Sequence, residues 1–184
     1  MERWERLFFD LESSFSALET QELADLVQEH IRAEAAQLRM WQRCAGALGQ
    51  DIELETTGPT PVRGIVTSVA PQWVLLTAQG RPILVPTAAI ISFAAPRSVG
   101  EAGKTGANPS PSEVTLNRAL RTLSRDRQLV TVVAGTRQHA GVLGQVSADH
   151  ITVVSGGYGE WEQRRQPKAV VIATSHISYL HGGR

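Results

Sequence analysis

The chain has 184 residues, with 18 basic and 18 acidic side chains, 42% hydrophobic residues and one cysteine. This composition excludes a helical membrane span, a disulfide scaffold and a disordered polymer. The first residues do not form a basic leader before an apolar segment, so we expect a soluble protein of the cytoplasm. The charge is uneven, because residues 1–48 carry about −4 and residues 113–184 about +4. This asymmetry favours either a basic surface for an acidic partner or mutual attraction of the two ends of the chain.

Residues 1–48 have the pattern of helices. They contain no proline, and no glycine before Gly46, and their apolar residues recur at helical spacing. Thr20 fits an N-cap and divides the segment into about two helices, unless one long helix bends there. The first helix carries an apolar stripe of five residues, which are Trp4, Leu7, Phe8, Leu11 and Phe15.

This N-terminal stripe needs a partner that buries it. The opposite face of the helix is acidic, so anionic lipid would repel it and we expect no membrane contact. We expect a protein partner, a second copy of the chain or a neighbouring domain to cover the stripe. The alternative is a helical hairpin, in which the stripe folds back against residues 23–31.

From Gly49 onward the sequence changes to short alternating strands, and the pattern occurs twice. The offset is 77 for three segments and 87 for a fourth, which places ten extra residues in one loop of the second copy. The aligned segments are residues 52–54 with 129–131, 63–69 with 140–146, 73–76 with 150–153, and 85–90 with 172–177.

Each copy predicts five short antiparallel strands, a number that suits a small closed barrel. Residues 73–76 are apolar on both faces, so we expect Leu75 to lie in a barrel core. The predicted fold class is α+β, with a helical segment at 1–48, a first barrel at 49–94, a flexible linker at 95–112, and a short helix plus a second barrel at 113–184. The short helix is indicated by the capping pattern Ser110-Pro111-Ser112-Glu113.

The strands of the first copy resemble the Sm-like family, which includes the bacterial RNA chaperone Hfq. Gly64 opens a second strand, and Trp73 precedes a Val-Leu-Leu run in a third, as in that family. The resemblance implies two bent five-stranded barrels. The whole arrangement, helices followed by two such barrels, also resembles that of a type of bacterial protein. RNA contacts do not transfer with it, because residues 87–89 lack the Lys-His pair of Hfq and only His176 matches in the second copy. The Asp-Asn and Arg-Gly patterns of eukaryotic Sm proteins are also absent.

No residues are spaced as a catalytic or metal-binding set. Cys44 lies among apolar residues without an activating base, which is typical of a core thiol. Four histidines of the second copy lack the spacing of a zinc site, and residues 156–159 lack the helix and lysine of a phosphate loop. We therefore expect no enzyme, no metal, no cofactor and no small-molecule substrate.

The inserted loop of the second copy, residues 156–168, is the best candidate for nucleic-acid contact. Two aromatic residues would stack on bases and three basic residues would meet phosphates. These five residues are Tyr158, Trp161, Arg164, Arg165 and Lys168. The alternative is a solvated hairpin, since Glu160 and Glu162 offset two of the bases.

Two functional hypotheses follow. The first is a non-enzymatic interaction or scaffold protein that contacts a partner, or itself, through the N-terminal stripe. The second is an RNA-binding or gene-regulatory protein of Sm-like type that uses the inserted loop.

Overall fold

The structure is a computed structural model that describes residue 29 and residues 36–94, 114–155 and 168–182. The chain divides into two compact units, residues 1–39 and residues 40–184. The N-terminal stripe, the predicted linker 95–112 and all of the inserted loop except Lys168 lie outside the described residues.

The described part of the second unit contains two α-helices, two short 3-10 helices (Thr87–Ala89 and Thr174–His176) and ten strands. The α-helices are α1 (Met40–Gly46) and α2 (Leu116–Arg125). The strands are β1 (Asp51–Thr56), β2 (Val62–Ala70), β3 (Trp73–Ala78), β4 (Arg81–Pro86), β5 (Ile90–Ala94), β6 (Leu129–Ala134), β7 (Arg137–Val146), β8 (His150–Ser155), β9 (Lys168–Ala173) and β10 (Ile177–Gly182). Below, the first half means β1 to β5 and the second half means β6 to β10.

All ten strands belong to one open antiparallel sheet in the order β5-β1-β2-β3-β4-β10-β6-β7-β8-β9. The prediction of two closed Sm-like barrels is therefore wrong, and so is the α+β class built on it. The protein is mostly sheet, with two α-helices among the described residues. The reason is the pairing of β4 with β10, in which Leu84 lies opposite Leu180. Alternation of apolar residues predicts strands and their buried faces, but not which edges of those strands pair.

The two halves have the same strand order and nearly the same register. Leu54 lies opposite Phe93 in the first half, as Val132 lies opposite Leu180 in the second. The register also corrects the sequence alignment of the first strands by one residue. Ile52 lies opposite Gly64 and Val130 lies opposite Gly141, so Ile52 corresponds to Val130 rather than to Leu129.

Gly64 and Gly141 occupy equivalent places where two strands approach closely. A Cβ atom on Gly64 would lie 2.7 Å from the carbonyl oxygen of Thr77, and one on Gly141 would overlap the carbonyl of Val154. Any side chain at these positions would push the neighbouring strand away. The glycine that opens the second strand of each copy is thus required by the pairing itself.

A helix covers the apolar face of each half. In the first core cluster, α1 contributes Cys44, and in the second, α2 contributes Leu120. The N-cap of α2 is Thr115, whose hydroxyl accepts from the backbone N–H of Arg118, so the helix begins later than the predicted cap at Ser110. The hydroxyl of Ser124 lies within hydrogen-bond distance of the carbonyl oxygens of Leu143 and Gly144, where the register of β7 shifts.

The two core clusters exchange residues across the β4–β10 pairing. We call this pairing, together with the side chains that pack over it, the seam. The first half contributes Ala70, Trp73 and Leu84 to the second cluster. The second half contributes Val133 and Tyr179 to the first cluster. Each half is therefore incomplete without the other.

Polar contacts also join the halves. The indole N–H of Trp73 donates to the carbonyl of Val114 over 2.8 Å, and the backbone N–H of Leu116 donates to Gln72. On the other side, Thr57 and Ser178 share a hydroxyl hydrogen bond of 2.9 Å. These bonds fix the start of α2 and the loop after β1 to the seam.

Leu75 is half-buried, contrary to its predicted place in a barrel core. It packs at the margin of the second cluster, whereas its neighbours Val74 and Leu76 are fully buried in the first. Both faces of β3 are covered because the strand lies between two clusters, which is why its sequence is apolar on both sides.

Candidate interaction surface

Most residues of the two predicted sites lie outside the described part of the chain. This applies to the stripe of Trp4, Leu7, Phe8, Leu11 and Phe15, and to Tyr158, Trp161, Arg164 and Arg165 of the inserted loop. Lys168 is described and is the exposed first residue of β9. Both sites remain predictions.

Cys44 is a core residue, as its sequence context predicts. Its side chain has no exposed surface, and this burial raises the pKa of the thiol to about 11. The thiol therefore stays protonated near neutral pH, and a protonated thiol is a weak nucleophile and a weak metal ligand.

Two of the described histidines, His150 and His176, contact the side chain of the preceding residue on the surface. The Nδ1 of His150 lies 2.7 Å from Oδ1 of Asp149, and this contact lowers the pKa of Asp149. His176 contacts the hydroxyl of its neighbour Ser175 at 3.1 Å. Within the described ranges, no group of three His, Cys, Asp or Glu side chains is placed to hold a metal ion.

Neither α1 nor α2 combines the length and the apolar character that a membrane-spanning helix needs.

The two ends of the sheet are the most distinctive surface of the described residues. β5 lies at one end and β9 at the other, and no described strand pairs with the outer side of either. Natural sheets protect such edges with charges, proline or bulges. β5 contains no charged residue and no proline, but it has a bulge at Ile91, where its register with β1 shifts, as β10 has at Ser178. β9 has neither a proline nor a register shift with β8, and its one charged residue is Lys168 at its first position.

These two outer edges correspond to the two strands that pair at the seam. β5 holds the place in the first half that β10 holds in the second, since Phe93 and Leu180 occupy equivalent registers. β9 corresponds to β4, because Ala173 lies opposite His150 as Pro86 lies opposite Trp73. The described strands thus contain each kind of edge twice, once paired at the seam and once without a described partner.

Equivalent residues are more exposed at the outer edges than at the seam. Leu84 and Leu180 at the seam are 7% and 2% exposed. Val171, the equivalent of Leu84, is 65% exposed on β9. On β5, Ile91 is 63% exposed, while its equivalent Ser178 is fully buried.

At the seam, some side chains of one half pack in the core of the other half. The equivalent residues at the outer edges are more polar. Trp73 corresponds to His150 and Ala70 to Ser147 by the β2–β3 and β7–β8 registers. Tyr179 and Val133 correspond to Ser92 and Glu55, whose side chains share a 2.7 Å hydrogen bond. A strand added at an outer edge would bury less apolar surface than the seam does.

A second surface feature is a basic row on and just after α2. Four arginines are exposed within ten residues, and the single acidic residue among them is Asp126. They are Arg118, Arg121, Arg125 and Arg127. The spacing of the first three, at i, i+3 and i+7, places them on one face of the helix.

The sequence patterns did not identify the outer edges as a site. The repeat contained the necessary signal, because two copies in one sheet must leave one unpaired strand at each end. The expectation of closed barrels concealed it, since closure removes edges.

No protein-family model, curated protein or solved structure matches this chain.

Proposed function

We propose that the protein is a non-enzymatic interaction protein whose outer sheet edges each accept a strand from a partner. The observation that carries this proposal is the 65% exposure of Val171 on an uncharged stretch of an edge strand. In this type of recognition, main-chain hydrogen bonds to the added strand supply affinity, and alternate side chains supply specificity. Both edges offer that combination.

The physical basis is that an edge strand has a row of N–H and C=O groups directed away from its sheet. On β5, apolar residues accompany these groups, with Ile91 and Phe93 on either side of Ser92. An arriving strand would satisfy the backbone groups and remove apolar surface from water at the same time.

A photo-cross-linking experiment in cells tests this function. The cross-linking amino acid p-benzoylphenylalanine replaces Val171 in one variant and Ile91 in another. Ile65, which is 47% exposed on the interior strand β2, is the matched control position. We expect discrete cross-linked protein bands from the two edge positions and none of them from position 65. If the edge positions give no band, or the same bands as position 65, the proposal fails.

The N-terminal stripe is proposed as an additional contact. Trp4, Leu7, Phe8, Leu11 and Phe15 would pack on a protein partner, because the helix predicted for them has an acidic opposite face. Removal of residues 1–18 tests this contact. We expect the partner cross-linked at position 171 to be recovered in smaller amounts from cells, and unchanged recovery would refute a role for the stripe.

RNA binding is the second candidate function, and the exposed arginine row of α2 favours it. Together with Lys168 and the basic residues of the inserted loop, this row would contact phosphates. A gel-shift titration over a series of salt concentrations tests the idea, with Arg118, Arg121 and Arg125 replaced by Gln. The control is Arg63→Gln, because Arg63 is exposed but pairs with Asp51 at 2.9 Å.

For an RNA-binding protein, we expect affinity to fall steeply with salt. The triple variant should lower the salt slope by about 1 for each arginine that no longer meets a phosphate. The Arg63→Gln control should keep the slope of the unaltered protein. Absence of a shift at low salt would exclude this function.

A further inference from the structure

We propose that the strand accepted at each outer edge comes from a second copy of this chain, so that β9 of one copy pairs with β5 of the next. This inference rests on the proposed function and names its partner. It follows from the seam, where the equivalents of β9 and β5, namely β4 and β10, already pair within one chain.

The seam also specifies the register of the contact. At the seam, Leu84 lies opposite Leu180 and Ile83 lies opposite His181. In the repeat, Val171 corresponds to Leu84 and Phe93 to Leu180, so the same register places Val171 opposite Phe93. In the same way it places Val170 opposite Ala94. The strands would be antiparallel, as β4 and β10 are.

Side-chain packing supports the same arrangement. Leu84 does not pack in the core of its own half, but in the second cluster together with Leu180. Val171 has the equivalent position on β9 and is exposed because no described half follows it. Phe93 packs against the first cluster. In the proposed contact, Val171 would reach the first cluster of the next copy beside Phe93.

The contact would be weaker than the seam. His150, Ser147, Glu55 and Ser92 replace the apolar residues that cross the seam, so the apolar area gained is smaller. Two short strands also bury less surface than a standard stable interface. We therefore infer reversible association that depends on protein concentration.

The contact joins two different edges, so it is heterologous and leaves one free edge of each kind in every assembly that does not close. Such contacts build rings if the rotation closes and open filaments if it does not. A dimer is therefore not the end point for the unaltered chain, and larger species follow as the concentration rises.

Light scattering on the full-length protein, over about two decades of concentration, tests the inference. We expect the mass to rise above the 20.0 kDa of one chain. Val171→Lys places a charge on the β9 edge, Ile91→Lys places one on the β5 edge, and each should remain at the mass of one chain. Ile65→Lys, the interior-strand control, should associate like the unaltered protein.

A mixture of the two edge variants gives a sharper result. Ile91→Lys keeps an intact β9 and Val171→Lys keeps an intact β5, so together they form one contact with both outer ends blocked. We expect the mixture to reach twice the chain mass and no more. Circular dichroism checks that each variant is folded, which the exposure of both side chains leads us to expect.

An unaltered chain that stays at 20.0 kDa throughout overturns the inference, as does a folded Val171→Lys variant that associates like the unaltered chain. A mixture of the edge variants that contains no dimer overturns it as well. If the purified protein is monomeric while position 171 cross-links a different protein in cells, this inference fails and the proposed function stands. If the edge positions give no cross-link either, both fail.

Discussion

The seam and the outer edges have the same backbone arrangement but different side chains. At the seam, Trp73, Leu84 and Tyr179 cross between the halves and are buried. At the outer edges, His150, Val171 and Ser92 hold the equivalent positions and keep more contact with water. We infer that a repeated strand pattern specifies the backbone geometry of an edge, whereas its side chains decide whether the contact is permanent or reversible.

The largest effect is expected where the backbone geometry itself is broken. Gly141→Ala places a Cβ against the carbonyl of Val154 and should cost about 3 kcal/mol or more of unfolding free energy. Gly144→Ala is the matched control on the same strand, because its nearest contact would be an ordinary 3.4 Å from the carbonyl oxygen of Thr152. Urea denaturation compares the two. Equal costs would contradict the close approach of β7 and β8.

The next effect separates the seam from its outer equivalent. Leu84→Ala removes a side chain that is only 7% exposed between the halves and should destabilise the protein by about 2 to 4 kcal/mol. Val171→Ala, at the equivalent position on β9, should cost the monomer less than about 0.5 kcal/mol. Denaturation at low protein concentration measures both. If the two substitutions have similar effects, the burial difference between the seam and the edge does not exist in solution.

The two helices that cover the halves differ in that only α1 buries a titratable side chain in its core cluster. α1 buries Cys44 where α2 buries Leu120, and burial raises the pKa of Cys44 from about 9 to about 11. The folded protein then binds the thiol proton more tightly than the unfolded chain does. The resulting stabilisation is complete below about pH 9 and is lost as the pH rises towards 11.

The free energy of unfolding of the native chain, minus that of Cys44→Ala, should therefore fall by about 2 kcal/mol between about pH 8 and about pH 10.5. Groups other than the thiol titrate in both proteins and cancel in this difference. A difference that stays constant over the same range would show that the thiol is accessible to water.

The smallest effect concerns a surface ion pair that only the first half has. Arg63 donates two hydrogen bonds to Asp51 on neighbouring strands, and both side chains are largely exposed. By the register of the second half, the equivalent positions are Ala140 and Leu129. Arg63→Ala should cost less than about 1 kcal/mol, and the cost should shrink in high salt. A larger, salt-independent cost would mean that the pair contributes to the fold.

Much of the local structure could be predicted from the sequence. Apolar alternation located the strands, and the repeat matched Gly64 to Gly141 because close strand pairing requires glycine at both places. The alignment of Ile52 with Leu129 was off by one residue, since Leu129 and Val130 are both apolar and alternation does not distinguish them. Only the pairing partners show that Val130 is the buried one.

The connection of the halves could not be predicted, for a physical reason. Whether a five-stranded unit closes on itself or pairs with another unit depends on contacts distant in the chain, such as Thr57 with Ser178 and Trp73 with Val114. None of these contacts leaves a periodic pattern. The candidate site was missed with the connection, because the exposed edges exist only in the open sheet.

Disulfide trapping between copies tests the central claim most directly. Ala94→Cys and Val170→Cys, each combined with Cys44→Ala, are oxidised separately and as a mixture. The seam register places the two new thiols opposite each other between copies, where Cβ atoms of paired strands are about 4.5 to 5.5 Å apart. A disulfide needs a Cβ separation of about 3.5 to 4.5 Å, so a strand shift of about 1 Å allows the bond to form. The register control is Ala94→Cys mixed with Val171→Cys, because a shift of one residue directs the thiol to the other face. We expect a covalent dimer from the first mixture, and little from either variant alone or from the control mixture. A first mixture that stays monomeric, or a control that cross-links equally well, would contradict the pairing of β9 with β5 in the register of the seam.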